Sequence, residues 1–188
     1  MTEQLGSDPF RLAAQLSGKN LPPVHQWNPD YCGDIDLRIT RSGVWIYENS
    51  PINRQRLVKL LSSVLRLDED GEYYLVTPVE KLRVHVDDAP FVAVELEVHG
   101  RETGQRLLLR TNVDEVVIVD RIHPIRVEED RISGEPSPYL MIRDGLEALI
   151  SRPVFYQLAD LAIAYHQNQE KVMGVWSCGD FFCLGKTS

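Results

Sequence analysis

The sequence predicts an α+β fold built from two tandem similar units, each with a curved antiparallel sheet and a packed helix. Three observations predict it. Arg41-x-Gly43, Pro51 and Gln55 return as Arg143-x-Gly145, Pro153 and Gln157 at one constant offset. Leu57, Leu60, Leu61, Val64 and Leu65 recur at i, i+3, i+4, i+7 and i+8, and Leu158, Leu161, Ala162 and Tyr165 repeat the first four of those positions, so each run reads as a one-faced helix. Between the two copies lie short apolar/polar alternations joined by tight turns. Such strands pair antiparallel, because parallel neighbours need long crossovers.

The elements follow in order. Phe10 to Leu16 is a short amphipathic run, read as a docking helix or a loose terminus. Pro22-Pro23 forces an extended entry, and Val24 to Pro29 is loop-like. Asp34 to Thr40 reads as a strand, Ser42-Gly43 as a tight turn and Val44 to Tyr47 as the hairpin partner. Pro51 suits the first position of a helix, where its missing N–H costs nothing; that helix runs to about Leu67 and stops at Asp68-Glu69-Asp70-Gly71. Glu72 to Val76 closes the first unit. Leu82, Val84 and Val86 alternate, as do Val92, Val94, Leu96 and Val98, with Glu95, Glu97 and His99 on the opposite face. Leu107 to Thr111 and Val116 to Val119 continue the series. Arg131 to Pro138 is a loop, and Tyr139 to Leu184 forms the last unit. The division placed on this pattern is residues 1–80 and 81–188.

Composition narrows the function. With 188 residues, 43% hydrophobic and 26% charged, the chain can bury a core without disulfides or metals. Its net charge of −8 is spread over both halves, which argues against nucleic-acid polymers and anionic membranes as partners. No apolar run has the length of a spanning helix, and Met1 to Ser17 lacks a signal-peptide core; the expected location is the cytoplasm. Cys32, Cys178 and Cys183 fit neither a disulfide framework nor a zinc knuckle, so they are read as buried, reduced thiols and no metal site is expected.

Several segments together carry a resemblance. They are Val24-His25-x-Trp27-Asn28-Pro29, Cys32-Gly33-Asp34-Ile35-Asp36-x-Arg38-Ile39, Thr77-Pro78-Val79-Glu80-Lys81, Asp88-Ala89-Pro90-Phe91, Thr111-Asn112, Arg152-Pro153-Val154-Phe155-Tyr156 and Gly174-Val175-Trp176-Ser177. Over residues 22–185 the chain resembles the bacterial family called Domain of Unknown Function 1285. The resemblance implies a duplicated two-domain α+β core, with a C-terminal part superficially similar to pleckstrin-homology folds. It also implies a nucleotide-like ligand at the domain interface and a role in signalling.

The residues themselves suggest where chemistry could sit. Asp34, Asp36 and Arg38 share one strand face, opposite Ile35, Leu37 and Ile39. Two neighbouring carboxylates could hold a cation or raise one another's pKa; an ordinary Asp–Arg surface ladder explains them equally. Gly33 permits close approach of a ligand, while Cys32 could act as a nucleophile only beside a base such as His25 or His123. Lys81 near the unit boundary and Arg152 at a helix start could bind an anion. Thr111 and Asn112 can donate and accept hydrogen bonds. Trp45, Tyr156 and Trp176 could stack on a base or serve as packing groups. No phosphate-binding glycine loop is present: Gly100 to Arg106 lacks the Gly-Lys-Ser/Thr ending, and the residues name no cofactor.

The leading expectation is a ligand-binding or sensory module without catalysis. Its candidate ligand-binding residues are Cys32, Gly33, Asp34, Asp36, Lys81, Thr111, Asn112, Arg152, Tyr156 and Trp176, gathered in a cleft between the units around a small anionic or nucleotide-like molecule. One alternative is a small enzyme acting on a nucleotide-like or phosphorylated metabolite through Asp34 and Asp36. Another is a protein-interaction module using exposed sheet edges.

Overall fold

In the computed structural model, which describes residues 21–130, 132–167 and 170–186, the chain divides into two compact units at Pro90/Phe91. The run Phe10–Leu16 lies outside the described residues. The break falls ten residues beyond the expected 80/81, because Lys81–Val86 is a central strand of the first sheet and cannot leave it.

The first unit contains β1 (Tyr31–Ile39), β2 (Trp45–Tyr47), β3 (Ser50–Pro51), α1 (Gln55–Ser63), β4 (Leu65–Leu67), β5 (Tyr73–Val76) and β6 (Lys81–Val86). The strands form one sheet in the order β3-β2-β1-β6-β5-β4. Along β1 the alternation holds: Ile35, Leu37 and Ile39 are buried, whereas Asp34, Asp36 and Arg38 are exposed. Trp45, Leu57, Val58, Leu61, Val64, Leu65, Leu75, Val76, Leu82 and Val84 are among the residues that join them in the core.

The first helix is shorter than its periodicity implies. Pro51 sits in the two-residue edge strand β3, not at a helix start, and the helix begins at Gln55. An edge strand tolerates a residue without an N–H. At the other end the Ser62 and Ser63 hydroxyls donate to the Lys59 and Leu60 carbonyls, and Leu65 leaves the helix to pair with Leu75. Side-chain competition for backbone acceptors and a waiting strand partner end the helix before its apolar pattern does.

The second unit contains β7 (Phe91–His99), β8 (Arg106–Thr111), β9 (Val116–Ile118), β10 (Ile125–Glu129), β11 (Pro136–Arg143), β12 (Leu146–Ile150), α2 (Arg152–Asp160), β13 (Ile163–Gln167), β14 (Glu170–Ser177) and β15 (Asp180–Lys186). A six-stranded sheet runs β10-β11-β12-β7-β8-β9, and β13-β14-β15 form a separate three-stranded sheet. Helix α2 packs against β7 and β14. The buried Ser177 hydroxyl links the two sheets, donating to the Val119 carbonyl at 2.6 Å and accepting from the Leu107 N–H at 3.0 Å. Strand β7 departs from simple alternation: Phe91, Val92 and Ala93 are all buried, whereas Val94 and Val98 are exposed. A register shift between Ala93 and Glu95 re-aims the later side chains.

The two six-stranded sheets follow the same path. Each begins at a central strand, meanders to one edge, crosses over and meanders back from the other edge. The last strand then lies parallel to the first, β6 beside β1 and β12 beside β7. The expected all-antiparallel meander is therefore corrected at the centre of each sheet, where the intervening strands supply the long crossover. The constant-offset repeat marks a more local likeness. Arg41-Ser42-Gly43 and Arg143-Asp144-Gly145 both turn hairpins, and a nine-residue helix follows each. Pro153 stands in the first turn of α2, but Pro51 has no such place. Gln55 opens its helix, whereas Gln157 lies in the middle of the other. At the level of whole sheets, β1 corresponds to β7.

Candidate functional site

The parallel pairing of β1 with β6 brings Cys32, Gly33, Asp34 and Lys81 onto adjacent strands, with Tyr31 opposite Lys81 and Asp34 opposite Arg83. Gly33 has φ of +118° with open space where a Cβ would stand, so backbone conformation rather than crowding requires glycine there. Register shifts flank it on β1.

Around these strands the polar side chains form paired groups. Arg83 donates to both Asp34 oxygens at 2.9 and 2.8 Å, and the Tyr31 hydroxyl donates to Asp34 Oδ1. The Arg83 hydrogen bonds, with Tyr31 behind them, hold the Asp34 carboxyl below its ordinary pKa. Arg38 makes a matching fork to Asp87 at 2.7 and 2.8 Å, with His85 Nε2 3.2 Å from the same carboxylate. Asp36 stands exposed on the Asp34 side of β1.

A second group lies toward the edge. Arg66 Nε and Lys81 Nζ each approach Asp68 at 2.5 Å, while Arg66 Nη1 donates to the Val24 and Trp27 carbonyls at 3.0 and 2.6 Å. Lys81 also sits 4.0 Å from the centre of the Tyr74 ring, and Tyr31 meets that ring edge-on at 6.3 Å. The Tyr74 hydroxyl donates to Asp70 Oδ2 at 2.6 Å, and this bond, ahead of burial, pushes its pKa up to about 12. Alkaline difference spectroscopy should therefore show a tyrosine step near pH 12, and Asp70→Asn should move that step toward the ordinary value.

Two depressions flank these groups. One is an open hollow of about 460 Å³ lined by His25, Asn28, Arg66, Leu67, Asp68, Glu69 and Asp70. The other, about 260 Å³, is lined by Asp34, Ile35, Glu72, Arg83, Val84 and His85. Nothing in the sequence pattern marks Tyr31, Arg66, Asp68, Tyr74 or Arg83 as site residues. The alternation of Leu82, Val84 and Val86 does place Arg83 on the polar face. Arg66 was hidden inside the overlong helix.

In the second unit Ile150 and Thr111 flank Ala93 on the neighbouring strands, so Thr111-Asn112 and the start of the helix that carries Arg152 lie on either side of β7. Thr111 is fully buried and accepts the Glu115 N–H at 3.1 Å, so its hydroxyl closes a turn. Asn112 bridges to Val92, accepting its N–H at 3.0 Å and donating to its carbonyl at 2.8 Å. Arg152 opens α2 and pairs with Glu135, and Tyr156 on the same helix is 62% exposed. Trp176 packs edge-on against Tyr165 and Phe181, both at 5.4 Å; Trp45 is a core residue.

The three cysteines are free, but Cys32 and Cys178 are exposed and Cys183 is half-buried, contrary to the expectation of buried thiols. The Cys32 thiol donates to the Asp30 carbonyl at 3.2 Å, and Cys178 occupies a two-residue hairpin turn with φ of +55°. Both positions point outward because of turn and bulge geometry, which thiol hydrophobicity does not override. Among the described residues, no group of three His, Cys, Asp or Glu could hold a metal ion, and no helix is long and apolar enough to cross a membrane.

These features define an α+β protein of two similar sheet units, the first carrying a face of preformed ion pairs. The chain belongs to the DUF1285 family: residues 22–89 match its N-terminal domain, described as a domain of unknown function, and residues 90–184 match its C-terminal domain. A crystal structure of a DUF1285 family protein from Silicibacter pomeroyi DSS-3 is 45% identical with a TM-score of 0.88, over 96% of each chain. A second, from Shewanella baltica OS155, is 28% identical with a TM-score of 0.53, over 67% of this chain and 91% of the other. No curated protein matches.

Proposed function

We propose that the protein is a ligand-binding, sensory module that works without catalysis, and that the polar face of its first sheet recognises a nucleotide-like molecule. The observation that carries this reading is the Tyr31–Asp34–Arg83 group beside Lys81, Asp68 and Tyr74. Each cation already has a carboxylate partner, so a bare polyanion would have to displace that partner. A ligand with donors and acceptors side by side, such as a base edge or a ribose, can instead bond to both members of a pair. The edge-on pair of Tyr31 and Tyr74 adds aromatic surface. A signalling role, and the pleckstrin-homology likeness of the second unit, belong to the same proposal.

The test is a thermal-shift screen with nucleosides, nucleotides and inorganic phosphate. A binder raises the melting temperature by mass action, equivalent to about 2.7 kcal/mol at a hundredfold excess over Kd. Nucleosides and nucleotides should shift the protein more than phosphate does. Arg83→Ala should weaken the hit by about 1.5–3 kcal/mol, the range for a lost charge-assisted hydrogen bond. Unchanged affinity in a folded Arg83→Ala protein would remove this face from the site, and turnover of the hit would favour the enzyme reading.

A further inference from the structure

We propose that β13 is a self-association edge: two copies of the chain pair their β13 strands antiparallel about a two-fold axis at Tyr165, merging the two three-stranded sheets into one of six. This inference does not depend on the ligand reading.

Unpaired sheet edges invite another strand, and proteins ordinarily blunt them with proline, charge, shortness or a cover. The other sheet edges among the described residues are treated in these ways. Strand β3 has two residues, one of them Pro51. Strand β4 is covered by the 3-10 turn Val24–Gln26, which Arg66 ties down. Strands β10 and β15 lie against each other, and β9 has only three residues. Strand β13 has five residues, Ile-Ala-Tyr-His-Gln, with no proline and no Lys, Arg, Asp or Glu. Among the described residues it pairs on one side only, with β14, and Ile163 and Tyr165 are 51% and 41% exposed.

The hydrogen-bond phase fits a second copy of the same strand. The β14–β15 hairpin turns through Cys178 and Gly179, both at positive φ, so Ser177 and Asp180 form its closing hydrogen-bonded pair. Odd-numbered residues of β14 therefore bond toward β15, and Val172 and Gly174 bond toward β13. Their opposites, Tyr165 and Ile163, are spent on that ladder. The N–H and C=O groups of Ala164 and His166 are left facing outward, symmetrically about Tyr165. An identical antiparallel strand satisfies all four groups at once: Ala164 bonds with His166 of the partner subunit, and His166 with Ala164 of the partner subunit. The two Tyr165 side chains then face each other as a close cross-strand pair. They extend the aromatic group of Tyr165, Trp176 and Phe181 across the junction. The chain as a whole carries −8, but β13 brings no like charges together.

Sedimentation of the full chain from micromolar concentration upward should show a monomer–dimer equilibrium. Ala164→Pro deletes an outward N–H while leaving the bonds to β14, so it should yield a monomer with unchanged circular dichroism. Tyr165→Lys and Tyr165→Glu, each placing like charges across the axis, should each be monomeric, and mixing the two should restore a heterodimer. A wild-type monomer at every concentration, a dimer that survives these substitutions, or a Lys/Glu mixture that stays monomeric would overturn the proposal. The charge pair keeps it falsifiable should the proline variant fail to fold.

Discussion

Gly174→Ala should destabilise the second unit by about 3 kcal/mol or more, at or beyond the usual range for overpacking a core. A Cβ at this position would lie 2.2 Å from the Phe182 carbonyl oxygen and 2.5 Å from Cζ of the Phe181 ring. The ring could rotate away; the carbonyl belongs to the neighbouring strand and cannot. Relief requires β14 and β15 to part, which disrupts the ladder on which the three-stranded sheet depends. The aromatic ring lying over a glycine in a sheet is a known way of covering bare backbone. Phe181→Ala on its own should be milder. In the double variant the penalty should shrink only partly, because the carbonyl contact remains. The measurement is chemical denaturation of the four proteins; a Gly174→Ala protein as stable as wild type would show that the strands separate at little cost.

The same residue illustrates how much the chain discloses before folding. The family resemblance picks out Gly174-Val175-Trp176-Ser177 without revealing that Gly174 lies against the Phe181 ring and the Phe182 carbonyl, because that contact depends on the strand register, which pairs Gly174 with Cys183 and shifts just beyond it at Met173. Period-two alternation gives the Asp34–Ile39 part of β1, with Asp34, Asp36 and Arg38 opposite Ile35, Leu37 and Ile39, but not its start at Tyr31. It carries no information on which strand lies beside β1. The parallel contact with β6, which places Asp34 against Arg83, joins residues far apart in the chain. Helical periodicity misled where tertiary pairing won. Leu65 fits the apolar stripe of α1 yet is drawn into β4 opposite Leu75, and Arg66 beside it becomes a structural clamp. Thr111 and Asn112 have ligand-ready chemistry, but the turn at the end of β8 uses it first. Short polar side chains near turns often bond to local backbone, and sequence cannot separate that use from recognition.

Arg66→Ala should cost the first unit about 2–4 kcal/mol, between the value of hydrogen bonds to charged groups and that of a broken buried ion pair. Its side chain is only 14% exposed and Asp68 only 17%. Four contacts are lost together: a fork to Asp68 and the carbonyls of Val24 and Trp27. The last two fasten the 3-10 turn over the β4 edge, so hydrogen exchange in β4 should rise with the loss. The partner carboxylate predicts the pH dependence. Burial alone would raise the pKa of Asp68, but hydrogen bonds from Arg66 and Lys81 outweigh burial and hold it below the ordinary carboxylate value. A carboxyl whose folded pKa is depressed contributes stability above its unfolded pKa and loses it as pH falls through the folded one. Wild-type stability should therefore drop on acidification below the ordinary carboxylate range. Asp68→Asn should be less stable than wild type at neutral pH, and the gap should close as the solution becomes acidic. A gap that stayed constant down to acid pH would mean that Asp68 acts through its shape rather than its charge, and that Arg66 holds the turn through the two carbonyls alone.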